Sequence, residues 1–237
     1  MAAEGRRKRG CGLFLGVFFV LSALLAGAVA FWAYDRYTAF ADVPLSGLEA
    51  GDTLLVERGD SFKRVLSKLR EAGADQGHDL EWQTLAKRLD AIGRIQVGEY
   101  ALDPGLTPRI LLERMRDGRI VSYRFTIVEG WNIRELRAAL AKATPLVQGI
   151  GELDDAALMA ELGHPGVHPE GRFLPETYVY TRGDRDLDLL RRANVALERA
   201  LQSAWESRAP DLPLKDAEEA LVLASIIEKE TGIAEER

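Results

Sequence analysis

The sequence contains only one cysteine and three histidines among its 237 residues, which argues against an internal disulfide and against a metal site. Cys11 has no partner for an internal disulfide, so the fold cannot depend on oxidation. Its position before the apolar run, not after it, is also unlike that of a lipidated lipoprotein cysteine. His164 and His168 lie four residues apart, but Pro165 and Gly166 break the helix that would place both on one face. We therefore predict neither a metal site nor a cofactor.

Positive charge is scarce outside the first residues of the chain. The net charge is −6, and residues 1–10 contribute +3 to it, so the remainder of the chain carries −9. A protein that binds nucleic acid would carry a basic patch on its folded part. We therefore predict no nucleic-acid partner.

Charged residues are absent from Cys11 to Tyr34. About 20 apolar residues in a helix cross the roughly 30 Å hydrocarbon core of a membrane. Four basic residues precede this run and three aromatic residues, Phe31, Trp32 and Tyr34, close it. This arrangement predicts a single transmembrane anchor over residues 11–34, with residues 1–10 as a cytoplasmic tip and the body exported.

A cleaved signal peptide is the alternative for this segment, because Ala28 and Ala30 form an A-x-A cleavage site. The uncharged run is longer than the usual apolar core of about 7–15 residues in a signal peptide. We favour the anchor, and in both cases the body lies outside the cytoplasm.

The body mixes short β-like runs with amphipathic helices in an order that does not repeat, so we predict an α+β fold. Residues 35–50 lack periodicity and are interpreted as a linker. Strands are predicted over 53–57, 95–102 and 121–127. Helices are predicted with caps at Ser61, Thr107 and Asn132, together with a longer helix that carries Leu187, Leu190, Leu197 and Leu201. The helix after Thr107 is expected to turn Ile110, Leu111 and Met115 inward and to stop at Gly118, and a loop-rich stretch is predicted before Leu187.

The last helix is the main candidate for catalysis. Asp216 and Glu219 predict a capping box, and residues 221–227 are apolar nearly all round, so we expect the helix to be buried. Helical spacing places Leu221, Ala224, Ser225 and Glu228 on one side. An apolar environment raises the pKa of a carboxyl, which would suit Glu228 as a proton donor. From the residues alone, the solvated end of a helix remains the more ordinary interpretation.

Four segments occur in a distinctive order: Leu54–Gly118, Phe125–Trp131 ending in Glu-Gly-Trp, Glu170–Tyr178 with the sequence EGRFLPETY, and Leu223–Thr231 with the sequence LASIIEKET. In this order they resemble the YceG-like family of endolytic murein transglycosylases. The first segment is similar to the family's LysM-like region, the third to its EG-x-F-x-P-[DE]-TY loop and the fourth to its catalytic helix. The resemblance covers essentially the whole chain after the predicted anchor.

The resemblance implies a domain order and an activity. Residues 51–119 would form a small LysM-like α/β module, and residues 120–237 would form an α+β catalytic domain that is truncated, because family members continue beyond this helix. The implied reaction cleaves the bond between N-acetylmuramic acid and N-acetylglucosamine in nascent peptidoglycan strands and leaves 1,6-anhydro ends. Glu228 would be the catalytic acid and base, and no cofactor is needed.

Five residues are predicted to bind substrate: Glu170, Phe173, Glu176, Tyr178 and Ser225. The acidic and hydroxyl groups offer hydrogen bonds, and the two aromatic rings could stack on sugars. A packed turn in which Phe173 and Tyr178 serve the core is the equally weighted alternative. Trp131 is predicted to be structural.

The resemblance also implies a location and partners. The protein would be a single-pass protein of the inner membrane with a periplasmic body, and its partners would be peptidoglycan strands and cell-wall synthesis proteins. The alternative function is a non-catalytic, membrane-anchored peptidoglycan-binding module. We expect the isolated chain to be nearly inactive, because an uncovered catalytic helix would expose its apolar surface and wet the site.

Overall fold

The computed structural model describes residues 9–230, except for the side chains of residues 9–15, 33, 37, 38 and 229. The predicted cytoplasmic tip therefore lies outside the described side chains. The chain divides into two compact units, residues 1–120 and residues 121–237. Each unit combines helices with one two-stranded antiparallel sheet in the described part, so the prediction of a mixed helix and strand fold is confirmed.

The first helix, α1 (Arg9–Asp42), is long and apolar enough in residues 16–42 to cross a membrane, judged by length and composition. It does not end at Tyr34, where the predicted anchor ends, but continues into the segment interpreted as a linker. The reason lies in the packing of its last two turns. The Phe40 ring meets the Trp82 ring edge to face at 5.2 Å, and Ala41 is fully buried.

Unit 1 continues with β1 (Thr53–Val56), α2 (Phe62–Glu71), α3 (Asp79–Arg88), β2 (Gly98–Ala101) and α4 (Pro108–Asp117). Strands β1 and β2 are antiparallel, with Thr53 opposite Ala101. The predicted caps are confirmed, because Ser61 accepts a hydrogen bond from the Arg64 amide and Thr107 accepts one from the Ile110 amide, both at 3.3 Å. Gly118 ends α4 with φ at 68°, a left-handed conformation that favours glycine.

The core of unit 1 lies between the small sheet, helices α2 to α4 and the last turns of α1, with Trp82, Tyr100 and Leu111 almost completely buried. The prediction that Ile110 points inward is wrong, because its side chain is 39% exposed. Leu112 occupies the inner side of α4 in its place and is 1% exposed. Both residues are apolar, so the sequence pattern does not distinguish the two ways of rotating this short helix.

Unit 2 contains β3 (Tyr123–Thr126), α5 (Ile133–Leu140), α6 (Asp155–Leu162), β4 (Thr177–Tyr180), α7 (Asp186–Glu206) and α8 (Ala217–Glu230). Strands β3 and β4 pair antiparallel, with Phe125 opposite Tyr178. The capping box of Asn132 and Glu135 at the start of α5 is confirmed. Helix α6 and strand β4 both lie within the stretch predicted to be rich in loops.

A buried carboxylate organises the start of α7. Asp186 is completely buried and accepts hydrogen bonds from the backbone amides of Gly149 at 2.9 Å, Ile150 at 3.0 Å and Leu187 at 2.7 Å. These three donors satisfy a charge that would otherwise be costly to bury. The bonds tie the turn at residues 149–150 to the first turn of α7.

Two neighbouring residues of α4 provide a matched test of the fold. Leu111→Ala should lower the free energy of unfolding by about 2–5 kcal/mol, because it empties a fully buried site, whereas Ile110→Ala should cost about 1 kcal/mol or less. Chemical denaturation of the detergent-solubilised chain, followed by circular dichroism, measures both values. Equal losses would contradict this rotation of α4.

Candidate active site

A groove of about 430 Å³ lies within unit 2. Its walls come from three segments: residues 127–136 around the Glu-Gly-Trp turn, the loop of residues 169–175, and α8 with Ser225 and Glu228. Leu197 of α7 contributes to the lining as well. Three of the four segments that attract notice in the sequence therefore meet at one place.

Glu170 joins the loop to the start of α5. One carboxylate oxygen of Glu170 accepts a hydrogen bond from the Ile133 amide at 3.2 Å. Asn132 caps the next amides, those of Arg134 and Glu135, each at 3.0 Å. Helix N-termini present unpaired amides and a partial positive charge, so a carboxylate is well placed there. Glu170 is therefore both a groove-lining group and a second cap of α5.

Arg172 joins the same loop to α8. Its guanidinium forms a two-pronged ion pair with Glu218 in the first turn of α8, with one N–O distance of 2.8 Å. The backbone of the loop is fixed to α7, since the Asn194 side chain donates to the Arg172 carbonyl at 3.0 Å and the Leu174 amide donates to the Ala193 carbonyl at 3.1 Å. The loop is thereby bound to three helices.

Two aromatic side chains contribute to the apolar lining of the groove. Phe173 is 7% exposed and belongs to the core of unit 2, yet it borders the groove. Trp131 is half-buried, packs against the same core and also lines the groove. Both rings therefore combine a packing contact with a surface that a ligand could reach.

Glu228 reaches the groove from the far end of α8. The side of α8 that lines the groove carries Leu221, Val222, Ser225 and Glu228, and Glu228 is half-buried. The predicted placement on one side is therefore confirmed for Leu221, Ser225 and Glu228, whereas Ala224, which was predicted to share that side, does not line the groove. The Ser225 hydroxyl donates to the Val222 carbonyl at 2.7 Å within the helix, so it can present its oxygen to the groove as an acceptor.

The prediction that α8 is buried is wrong. Val222, Leu223, Ile226 and Ile227 are 43–53% exposed, because the described part of the chain places α7 and the loop against one side of α8 and nothing against the other. The apolar surroundings expected for Glu228 are accordingly present only on the groove side. The predicted capping box is half confirmed: Asp216 accepts from the Glu219 amide at 2.9 Å, but the Glu219 carboxylate accepts from the Lys215 amide instead of that of Asp216.

Two of the predicted substrate-binding residues lie outside the groove. Glu176 is exposed and does not line the groove, and Tyr178 is 7% exposed within the core of unit 2. The Tyr178 hydroxyl donates to the Leu174 carbonyl at 2.8 Å, and burial raises its pKa to about 12. Tyr178 thus matches the packed-turn alternative.

Sequence reasoning did not identify the pair of Arg172 and Glu218. Arg172 lies at the variable position of the quoted loop motif, and Glu218 lies 46 residues later in the chain. Nothing local in the sequence connects two residues at that separation. Their opposite charges and their positions beside recognised segments are the only available signals.

Comparison with known proteins identifies a family and similar solved structures. The YceG-like family model matches residues 54–237. A crystal structure of a yceG-like protein from Listeria monocytogenes matches with 17% sequence identity and a TM-score of 0.34, over 77% of this chain and 65% of that chain. The chain therefore spans about two thirds of the length of that protein. The comparison with curated proteins gives no match.

The pair of Arg172 and Glu218 should hold the first turn of α8. Arg172→Ala should raise the hydrogen-exchange rate of amides in residues 217–230 by up to about fivefold, because a partly exposed ion pair contributes about 1 kcal/mol at most. Lys215→Ala is the matched control, since Lys215 is 85% exposed and pairs with Glu219 on the same helix. Faster exchange in the control than in Arg172→Ala would contradict this role.

Tyr178 should behave as a core residue. Tyr178→Phe should lower the free energy of unfolding by about 1 kcal/mol, because it removes the hydrogen bond to Leu174. The unfolded phenol ionises near pH 10.0 and the folded one near pH 12, so the wild type loses stability as pH rises between these values. The substitution should reduce that loss, as measured by denaturation at several pH values. If Tyr178→Phe left the free energy of unfolding unchanged but weakened glycan binding, Tyr178 would instead be a substrate-binding residue.

Proposed function

The chain belongs to the YceG-like family, and from this membership together with the groove we propose that it is a lytic transglycosylase acting on peptidoglycan. The family points in general to a peptidoglycan-related function. The observation that carries the finer proposal is the convergence of the Glu-Gly-Trp turn, the loop of residues 169–175 and Glu228 on one groove. Glu228 is the proposed catalytic acid and base.

The proposed reaction needs one carboxyl group. Glu228 first donates its proton to the glycosidic oxygen that leaves as the bond to C1 of the muramyl sugar breaks. The resulting carboxylate then removes the proton from the C6 hydroxyl of the same sugar, and the C6 oxygen bonds to C1. The product has a 1,6-anhydro end and no water is consumed, so the proton on Glu228 is restored. An ordinary glycosidase would require a second carboxylate as nucleophile or base.

The other carboxylates of the groove have structural partners. Glu170 accepts a hydrogen bond from the Ile133 amide, and Glu218 is paired with Arg172. Those contacts give both groups a role in holding the loop, whereas Glu228 is proposed for proton transfer because it lines the groove at the position that the resemblance gives to the catalytic acid and base. This division of roles supports a mechanism with a single acid and base.

The substrate contacts that we propose follow the lining of the groove. Phe173 and Trp131 offer apolar faces on which a sugar ring can stack, and Ser225 and Glu170 offer hydrogen-bond acceptors. Glu176 and Tyr178 lie outside the groove and are not included. Unit 1 would add glycan binding through the proposed LysM-like module of residues 51–119.

The proposed location is the inner membrane. Helix α1 supports an anchor by its length and composition, and the basic residues that precede it support a cytoplasmic N-terminus and a periplasmic body. Glycan strands close to the membrane, together with the proteins that synthesise them, would then be the natural partners.

A non-catalytic peptidoglycan-binding module is the second candidate, and the exposure of α8 favours it. Val222 and Ile226 are more than half exposed, so water reaches the helix that carries Glu228. Acid–base catalysis on a sugar benefits from a site that excludes water. In this interpretation the chain binds glycan through the same groove without cleaving it.

Mass spectrometry of purified peptidoglycan incubated with the full chain distinguishes the two candidates. Because α8 is partly uncovered, we expect a low yield of 1,6-anhydromuramyl ends with the wild type, and Glu228→Gln should remove it, since proton transfer contributes about 10²–10⁴-fold. Glu230→Gln is the matched control, because Glu230 is exposed on the same helix and does not line the groove. It should retain wild-type activity.

Two outcomes would contradict the catalytic proposal. Anhydro ends that persist with Glu228→Gln would remove Glu228 from the mechanism. Binding of glycan by the wild type without any anhydro product would favour the binding module.

A further inference from the structure

Helix α1 runs without interruption from the proposed membrane span into the core of unit 1. The Arg36 guanidinium donates to a Glu81 carboxylate oxygen at 3.0 Å, one turn before Phe40 packs against Trp82. Arg109 of α4 then forms a two-pronged ion pair with Asp42 at 2.6 and 3.0 Å. The last two turns of α1 are therefore packed against the rest of unit 1.

The chain after α1 is fixed as well. The Leu45 amide donates to the Leu106 carbonyl at 2.8 Å, and the Leu45 side chain is 5% exposed. Gly47 and Gly73 approach so closely, both with positive φ, that a Cβ atom on either would collide with the carbonyl oxygen of the other. The rest of unit 1 is thus joined to α1 without a flexible linker.

The length of α1 sets the height of unit 1 above a membrane. About 20 residues counted from Cys11 fill a hydrocarbon core of about 30 Å and end near Ala30, so Trp32 and Tyr34 fall at the interface. The rise from Ala30 to Arg36 is about 9 Å at 1.5 Å per residue, which places Arg36 at the outer edge of a headgroup layer roughly 5–8 Å deep. Glu81 is bonded to Arg36, so the start of α3 also lies at the outer edge of the headgroup layer.

The residue before Glu81 is suited to that environment. Leu80 is 73% exposed, although its neighbours Trp82 and Leu85 on the same helix are buried. Leu80 thus exposes a large apolar side chain next to the ion pair of Arg36 and Glu81. Protein surfaces at the membrane interface combine apolar and charged side chains in this way.

We propose that unit 1 is held rigidly against the outer surface of the phospholipid bilayer, with Leu80 and the first turn of α3 at the outer edge of the headgroup layer. The proposal rests on the proposed membrane anchor and does not depend on catalysis. The rigid helix sets the depth, because burying one leucine contributes only about 1.5–3 kcal/mol. Any glycan bound by unit 1 would then lie close to the membrane.

Depth measurement on the full chain tests this surface. In a Cys11→Ala background, Leu80→Cys and Arg58→Cys each receive a nitroxide label, and the protein is reconstituted in phosphatidylcholine and phosphatidylglycerol vesicles. Arg58 is the control. It is exposed in the turn between β1 and α2, and the length of α2 separates it from Gly73, which packs against the chain that follows α1. We expect the label at Leu80 to collide several-fold less with a water-soluble nickel complex and more with membrane-dissolved oxygen than the label at Arg58.

A second variant separates the rigid helix from the surface itself. A flexible Gly-Ser-Gly-Ser insert between Tyr34 and Asp35 interrupts α1 below the Arg36 contact and leaves the contacts with unit 1 in place. It should raise the collision rate of the Leu80 label with the nickel complex toward that of Arg58.

Three results would overturn the proposal: equal water accessibility at both labels in the uninterrupted chain, no effect of the insert, or release of the protein from vesicles by alkaline carbonate. None of these readouts requires turnover. A chain that forms no anhydro product but places Leu80 at headgroup depth would contradict the catalytic function alone.

Discussion

The groove depends on the bonds that the loop of residues 169–175 makes to three different helices. Glu170 completes the capping of α5, the Leu174 amide bonds to α7, and Arg172 pairs with Glu218 at the start of α8. A loop of this length would otherwise be the most mobile part of unit 2, since connecting segments have few internal contacts. These bonds therefore influence the distance between Glu228 and the aromatic side chains of the groove, Phe173 and Trp131.

The strength of these bonds is uneven. The backbone bonds of the loop to α7 are largely shielded, whereas the contact with α8 is a partly exposed ion pair, which solvent and salt weaken. Helix α8 is accordingly the least secured wall of the groove, and its outer apolar face is open in the described part of the chain. The catalysis proposed for Glu228 and the stability of α8 are therefore linked, because both would improve if water were excluded from this helix.

The features that could be predicted from the sequence are those fixed by neighbouring residues. Caps at Ser61, Thr107 and Asn132 act on amides two or three residues away, so they are visible in the sequence. Long-range packing explains what could not be predicted. Strand β4 could not be predicted because its partner β3 is about 50 residues earlier in the chain. Helix α1 continues to Asp42 because Phe40 packs against Trp82, which is also distant in the sequence. The placement of Glu228 and Ser225 on one side followed from helical spacing alone, whereas Arg172 required the fold.

The central claim is that the groove of unit 2 is where glycan binds. Nuclear magnetic resonance of the isotope-labelled chain in detergent micelles, titrated with a peptidoglycan tetrasaccharide, tests it most directly. The account predicts that amide shifts concentrate in residues 130–133, 170–173 and 218–228 and include the Trp131 indole. Shifts confined to residues 51–119 would show that unit 1 alone binds glycan and would contradict it.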